Sequence, residues 1–270
     1  DPSKWFVVCA NIIGSHYGTT GPLSINPATG LPYYDQFPRI TIRDIVAAHR
    51  RLAGALGIGR IHALVGSSVG GFQAVEWAAE EPERFGRLIL IATDAKASPW
   101  AIAIDETQRM AIKSDATWGE HRPDAAAAGL AAARAIGLLT YRGPSGYNLT
   151  QQDTHELPDL PRPCSYQRHQ GEKLCRRFNA YSYVSILDAF DTHDVGRGRG
   201  GVETALGRIA CPAIVIGLTT DIIFLPEEMR RLASLIPGAT YCEISSPLGH
   251  DGFLVEHSQL NSILTPFINS

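Results

Sequence analysis

Ser68 lies between two glycines in Gly66-Ser67-Ser68-Val69-Gly70-Gly71, with a short apolar run before it and a helical pattern after it. Arg60-Ile61-His62-Ala63-Leu64-Val65 reads as a strand and Phe72-Gln73-Ala74-Val75-Glu76-Trp77-Ala78-Ala79 as a helix. G-x-S-x-G in that setting describes a nucleophile elbow, a sharp strained turn with the serine at its tip. Small residues at 66 and 70 are expected because a Cβ there would clash as the chain packs around the turn. The following helix aims its N-terminus at the reacting centre, which favours developing negative charge. Ser68, not Ser67, is therefore the expected nucleophile, and its chemistry is covalent acyl transfer.

A serine hydroxyl attacks only when a base takes its proton, and the base needs an orienting acid. After an elbow of this kind the acid and then the histidine follow in the chain. Asp221 closes Gly217-Leu218-Thr219-Thr220-Asp221, just past an apolar strand. His250 lies in Ser246-Pro247-Leu248-Gly249-His250-Asp251, between the last strand and the last helix. Asp221 taken alone also suits a helix N-cap. His16, His49, His62, His121, His155, His169, His193 and His257 lack a comparable place after a C-terminal strand and read as solvated or packing residues. The order of three independent features makes the triad Ser68, Asp221, His250.

The elements that must hold these residues alternate. Lys4–Ile13 reads as a buried strand, followed by a loop rich in glycine, proline and asparagine. Residues 41–56 have helical periodicity with Thr41 as a possible N-cap, then come the elbow strand, its helix and the strand Arg87–Thr93. Alternation returns with the strand Cys211–Leu218, the helix Pro226–Ile236, the strand Ala239–Ser245 and a helix over 252–267. This rhythm predicts an α/β fold, a mostly parallel sheet with helices on both faces. Residues 98–205 break it: helical stretches at 107–113, 123–141 and 166–190 flank a polar segment, 143–163, and read as an inserted helical cap. The expected organisation is core 1–97, cap 98–205 and core 206–270. Ligands of open α/β sheets bind at the carboxyl edge, where all three triad residues would meet.

Composition narrows the partners. Among 270 residues, 44% are hydrophobic and 19% charged, and the net charge is −3. That balance gives no electrostatic reason to expect nucleic acid or an anionic membrane surface. No apolar run approaches the roughly 18 residues of a membrane span. No export signal is visible at the start, and the five cysteines form no C-x-x-C pair or metal spacing. Free thiols in a reducing cytoplasm follow, with no bound metal or cofactor.

Beyond the elbow, several segments resemble the homoserine O-acetyltransferases of the α/β-hydrolase superfamily. They are Phe6–Gly14, Tyr17–Pro27, Phe37–Asp44, Gln167–Lys173, Asp194–Gly201 and Gly249–Leu254. The resemblance implies acetyl transfer from acetyl-CoA to the hydroxyl of L-homoserine, an early step of methionine synthesis. It implies Ser68, Asp221 and His250 as the triad, Arg134 for the substrate carboxylate and Asp251 for its ammonium group. Arginine offers a forked, permanently charged carboxylate clamp; otherwise Arg134 reads as a helix-surface residue and Asp251 as a cap. Arg197 and Arg199 are expected to hold the cap or meet CoA phosphates, with structural use favoured. A homodimer through the cap helices is also implied.

Ser67 stands where the family usually has glycine, Val69 where it has methionine or leucine, and Gly252 where it has alanine. Val69 acts only through its backbone N–H, an expected oxyanion donor. The family normally carries a further segment before Lys4–Ile13, with the first strands and a second oxyanion N–H; an incomplete or processed chain is the expectation here. Related readings are a succinyl donor or serine as acceptor. Readings of another class are a carboxylic-ester hydrolase and an inactive hydrolase-fold module.

Overall fold

The computed structural model describes residues 2–153 and 159–269. Four strands form one parallel sheet in the order β1 (Leu64–Ser67), β2 (Leu88–Ile91), β3 (Ala213–Leu218), β4 (Thr240–Ile244). Leu64 is in register with Leu88, Leu88 with Ala213, and Ile214 with Thr240. The central strands β2 and β3 are buried throughout, which explains their unbroken apolar runs.

The period-2 alternation of strand side chains divides these runs between two faces. Leu88, Leu90, Ala213 and Val215 pack toward α1 (Ile42–Ala55), α2 (Val69–Glu80) and α9 (Pro226–Leu235). Ile89, Ile91, Ile214 and Ile216 pack with Leu260 of α10 (His257–Asn269) on the other face. Helix α1 begins with a capping box: Thr41 accepts from the Asp44 N–H at 3.3 Å, and the Asp44 carboxylate accepts from the Thr41 N–H at 2.8 Å.

Between β2 and β3 run α3 (Pro99–Lys113), α4 (Ala127–Tyr141), α5 (Pro144–Thr150), α6 (Arg162–Cys175), α7 (Ala180–Asp191) and α8 (Val202–Leu206). Ile112, Leu130, Ala133, Leu174 and Val184 give α3, α4, α6 and α7 a hydrophobic cluster of their own. The helix expected over 166–190 is two helices, because Asn179 leaves the helical conformation and caps α7 by accepting from the Ser182 N–H at 2.8 Å. The final helix is likewise two pieces, a 3-10 segment (Gly249–Leu254) and α10.

The expected strand at Lys4–Ile13 is absent: its residues adopt no regular structure, and Phe6 and Val7 are 78% and 75% exposed. An apolar run becomes a strand only where a neighbour offers a ladder, and no described strand pairs with it. Trp5 instead stacks on His62, ring centroids 4.3 Å apart. Strand β1 is consequently an edge of the sheet, with Val65 55% exposed.

Candidate active site

Strand β1 ends at Ser67 and α2 begins at Val69, so Ser68 alone makes the turn, with φ 53° and ψ −128°. Such backbone is rare for a residue with a Cβ and persists only where the surroundings over-determine it. Here the Ser68 N–H donates to the carbonyls of Ile91 and Ala92 at 3.0 and 3.1 Å, and its carbonyl accepts from Thr93 Oγ1 at 2.8 Å. A Cβ at Gly66 would lie 2.3 Å from the Gly70 carbonyl oxygen. The second steric requirement falls at Gly71, not Gly70: a Cβ at 71 would meet the Thr93 side chain at 2.3 Å, whereas one at 70 would meet open space.

His250 Nε2 lies 2.9 Å from Ser68 Oγ, and its Nδ1 lies 2.7 Å from Asp221 Oδ2. Asp221 Oδ1 accepts from the N–H groups of Ile223 and Phe224 at 2.8 and 3.1 Å, which fixes the carboxylate in its loop after β3. Asp221 is not a helix N-cap, since the following helix is capped at Leu225; these bonds close an Asx turn that leaves the other oxygen free for histidine. With a carboxylate as its partner, Nδ1 carries the ring proton, so Nε2 offers a lone pair to Ser68. Both Asp221 and His250 are almost fully buried. Thr220 Oγ1 joins the two loops, donating to the Ser246 carbonyl at 2.7 Å and accepting from the Gly249 N–H at 3.0 Å. Val69 is the first residue of α2, so its N–H has no acceptor within the helix.

Arg134, on α4, places its guanidinium carbon 5.4 Å from the centroid of the Tyr141 ring. Tyr141 in turn stands 6.1 Å from the His250 ring, centroid to centroid. The sequence reading missed Tyr141, although its spacing of seven from Arg134 puts both on one helix face. Asp251 has Arg142 Nε at 3.3 Å, an ion pair the sequence reading did not foresee. Burial raises the Tyr141 hydroxyl above its ordinary pKa. Asp105 on α3 is pushed up to about 8 by burial and by neighbouring Asp191.

The other basic candidates lie elsewhere. Arg199 pairs with the fully buried Glu76 at 2.5 Å, and Arg43 reaches the same oxygen at 2.9 Å, so this cluster ties the turn after α7 to α1 and α2. His49, His62 and His121 bond to Gln73, the Ile268 carbonyl and Asp35. His193 is buried against Phe72. His155 lies outside the described residues.

A family model described as the alpha/beta hydrolase fold matches residues 1–257. Homoserine O-acetyltransferase from Cyclobacterium marinum is 51% identical over 267 residues, covering 99% of this chain and 76% of the relative. The crystal structure of homoserine o-acetyltransferase from Staphylococcus aureus superposes with a TM-score of 0.78 at 30% identity, covering 96% of this chain and 72% of that one. Esterase E22 superposes with a TM-score of 0.86 at 25% identity, covering 93% and 72%. Among the described residues, no helix is long and apolar enough to cross a membrane. The fold, the extent of the match and the identity to curated relatives together place this chain in the homoserine O-acetyltransferase family of α/β hydrolases.

Proposed function

We propose that this chain transfers acetyl from acetyl-CoA to the γ-hydroxyl of L-homoserine by a ping-pong mechanism on Ser68, in methionine synthesis. The observation that carries this reading is the line Ser68 Oγ, His250, Asp221, closed by hydrogen bonds of 2.9 and 2.7 Å. His250 Nε2 takes the Ser68 proton as Oγ attacks the thioester carbon. The Val69 N–H stabilises the oxyanion, the carbon–sulfur bond breaks, and the departing CoA sulfur receives the proton from His250. Homoserine then enters, His250 removes the γ-hydroxyl proton, and that oxygen attacks the acetyl carbon. Collapse returns the proton through His250 to Ser68 and releases O-acetylhomoserine.

Arg134 takes the acceptor's carboxylate and Asp251 its ammonium group, the latter by loosening from Arg142. A zwitterion needs one cation and one anion held apart, and these two side chains are contributed by different segments. The cap excludes water so that transfer outruns hydrolysis. Met110, Leu139 and Leu149 expose apolar surface on the cap helices, which supports a homodimer formed there. The balance of charge and the free thiols support a cytoplasmic location.

Purified protein incubated with acetyl-CoA, with thiol release followed with and without homoserine, tests the reading. Release sustained only by homoserine and abolished in Ser68→Ala is expected. Equal release without an acceptor would instead support an ester or thioester hydrolase, the reading that the likeness to esterase E22 favours. Succinyl-CoA and L-serine as alternative substrates decide donor and acceptor within the family.

A further inference from the structure

We propose that Thr220 is a positioning residue: its hydroxyl closes the turn that carries His250 and so sets the imidazole against Asp221 and Ser68. The inference rests on the reading of Ser68, His250 and Asp221 as the reacting triad and deepens it. Thr220 and Gly249 each immediately precede a member of that triad in the chain. The Thr220 hydroxyl donates to the Ser246 carbonyl at 2.7 Å and accepts from the Gly249 N–H at 3.0 Å. Ser246 and Gly249 are the two ends of a turn whose central residues are Pro247 and Leu248. Leu248, at φ −93° and ψ 5°, has the backbone of the third position of a type I turn, and proline is favoured at the second. Such a turn ordinarily closes by a hydrogen bond from the fourth N–H to the first carbonyl. Here the two groups do not bond each other. The hydroxyl stands between them, spending its one proton on one side and a lone pair on the other.

The two ends of the turn are held differently. Ser246 is 2% exposed, and its N–H donates to Thr219 Oγ1 at 3.3 Å. Gly249 has φ 68°, and among the described residues its N–H donates only to Thr220. The cap grips the middle, where the Gly146 N–H donates to the Pro247 carbonyl at 3.1 Å. A Cβ at Gly143 would lie 2.4 Å from that same oxygen and 3.1 Å from Thr220 Oγ1. Without the hydroxyl, the Ser246 carbonyl and the Gly249 N–H are free to bond each other. The turn then closes on itself, its polar groups stay satisfied, and Gly249 shifts toward Ser246. His250 is next in the chain and moves with it, out of its 2.7 Å contact with Asp221. The carboxylate cannot follow, because its other oxygen is held by the N–H groups of Ile223 and Phe224. Loss of the hydroxyl thus leaves the fold intact and the histidine misplaced.

The variants Thr220→Val and Thr220→Ala test this. The first keeps the bulk of threonine, the second avoids a methyl group against Gly143, and Thr220→Ser restores the hydroxyl. A displacement of about 1 Å in a reacting group costs about 100-fold. Both hydroxyl-free variants are expected to lose about that much in the rate constant of first-turnover thiol release from acetyl-CoA. The half-saturating acetyl-CoA concentration and the unfolding temperature should change little, and Thr220→Ser should recover most of the rate. The second readout is the far-downfield proton NMR resonance of His250 Nδ1–H, recorded without substrate and assigned by its absence from Asp221→Asn. It should move upfield or broaden in Thr220→Val and Thr220→Ala and return in Thr220→Ser. A merely structural role would unfold the hydroxyl-free variants, or slow them with the resonance in place, and either result overturns the proposal. Wild-type acetylation by folded Thr220→Val and Thr220→Ala, or no rescue by Thr220→Ser, overturns it equally. Wild-type protein that shows the resonance but never acetylates Ser68 sinks the parent reading alone, because the resonance is read in the resting protein.

Discussion

Replacing Asp221 by Asn changes one atom of the site, and the local hydrogen bonds dictate how the new side chain sits. Oδ1 accepts from two backbone N–H groups, of Ile223 and Phe224, at 2.8 and 3.1 Å. An amide NH2 cannot accept them, so the oxygen of Asn must stay there and its NH2 must face His250 Nδ1. That nitrogen then has to accept, which moves the ring proton to Nε2, where a lone pair for Ser68 Oγ is required. The serine loses its base although every heavy atom stays in place. A wrong tautomer of this kind costs about 10⁴ in kcat, or about 5 kcal/mol. Folding should hardly change, because both backbone bonds survive. Asp221→Ala instead orphans two buried N–H groups at about 1–3 kcal/mol each and should unfold earlier. Stopped-flow measurement of thiol release in the first turnover, with thermal unfolding of each variant, separates the two effects. A loss smaller than about tenfold in a folded Asp221→Asn protein would refute the tautomer argument.

Other perturbations follow the same geometry. Arg134→Ala should raise KM for homoserine while leaving the acetylation burst nearly intact; equal damage to both half-reactions would contradict its role. Gly71→Ala should destabilise by about 1–3 kcal/mol, because its Cβ would fall on Thr93, whereas Gly70→Ala should be neutral or mildly stabilising in urea titrations. A reversed ranking would refute the steric assignment. Asp105 retains a proton in the fold up to about pH 8, whereas the unfolded chain releases it near 3.8. The folded state therefore binds the extra proton between these values, and stability falls as pH rises through that window. Asp105→Asn keeps the hydrogen bonds without the ionisation, so its stability advantage should widen from pH 5 to pH 8; a constant gap would count against the buried carboxyl.

The hydrogen-bonded line of Ser68, His250 and Asp221 was legible because each member sits in a strong local pattern: a glycine-flanked turn, a residue just past an apolar strand, and a histidine between the last strand and helix. The parallel sheet was legible in the runs of β2 and β3, where burial on both faces removes the need for polar alternation. The first segment was not. Phe6-Val7-Val8 has strand composition, but pairing is a property of the neighbour, which a single run of residues does not encode. The roles of Gly70 and Gly71 were exchanged for a similar reason, since the obstructing atom belongs to Thr93, more than twenty residues away. Tyr141 and the Arg142–Asp251 pair escaped notice because their relevance depends on α4 lying beside the 3-10 segment that carries His250.

The backbone of Ser68 has a consequence for how such a protein changes over generations. Holding a side chain at φ 53° and ψ −128° stores about 1–3 kcal/mol, and only glycine adopts that conformation freely. A single substitution to glycine would relax the turn and make the molecule firmer while removing the proposed nucleophile. Drift under selection for stability alone runs toward that substitution, and only demand for the reaction opposes it. The burial of nearly all of α2 behind the turn supplies the stability that tolerates a serine there. Mutations that loosen the packing of that helix would thus leave the chain with less margin to keep its serine, even if they never touch the substrate.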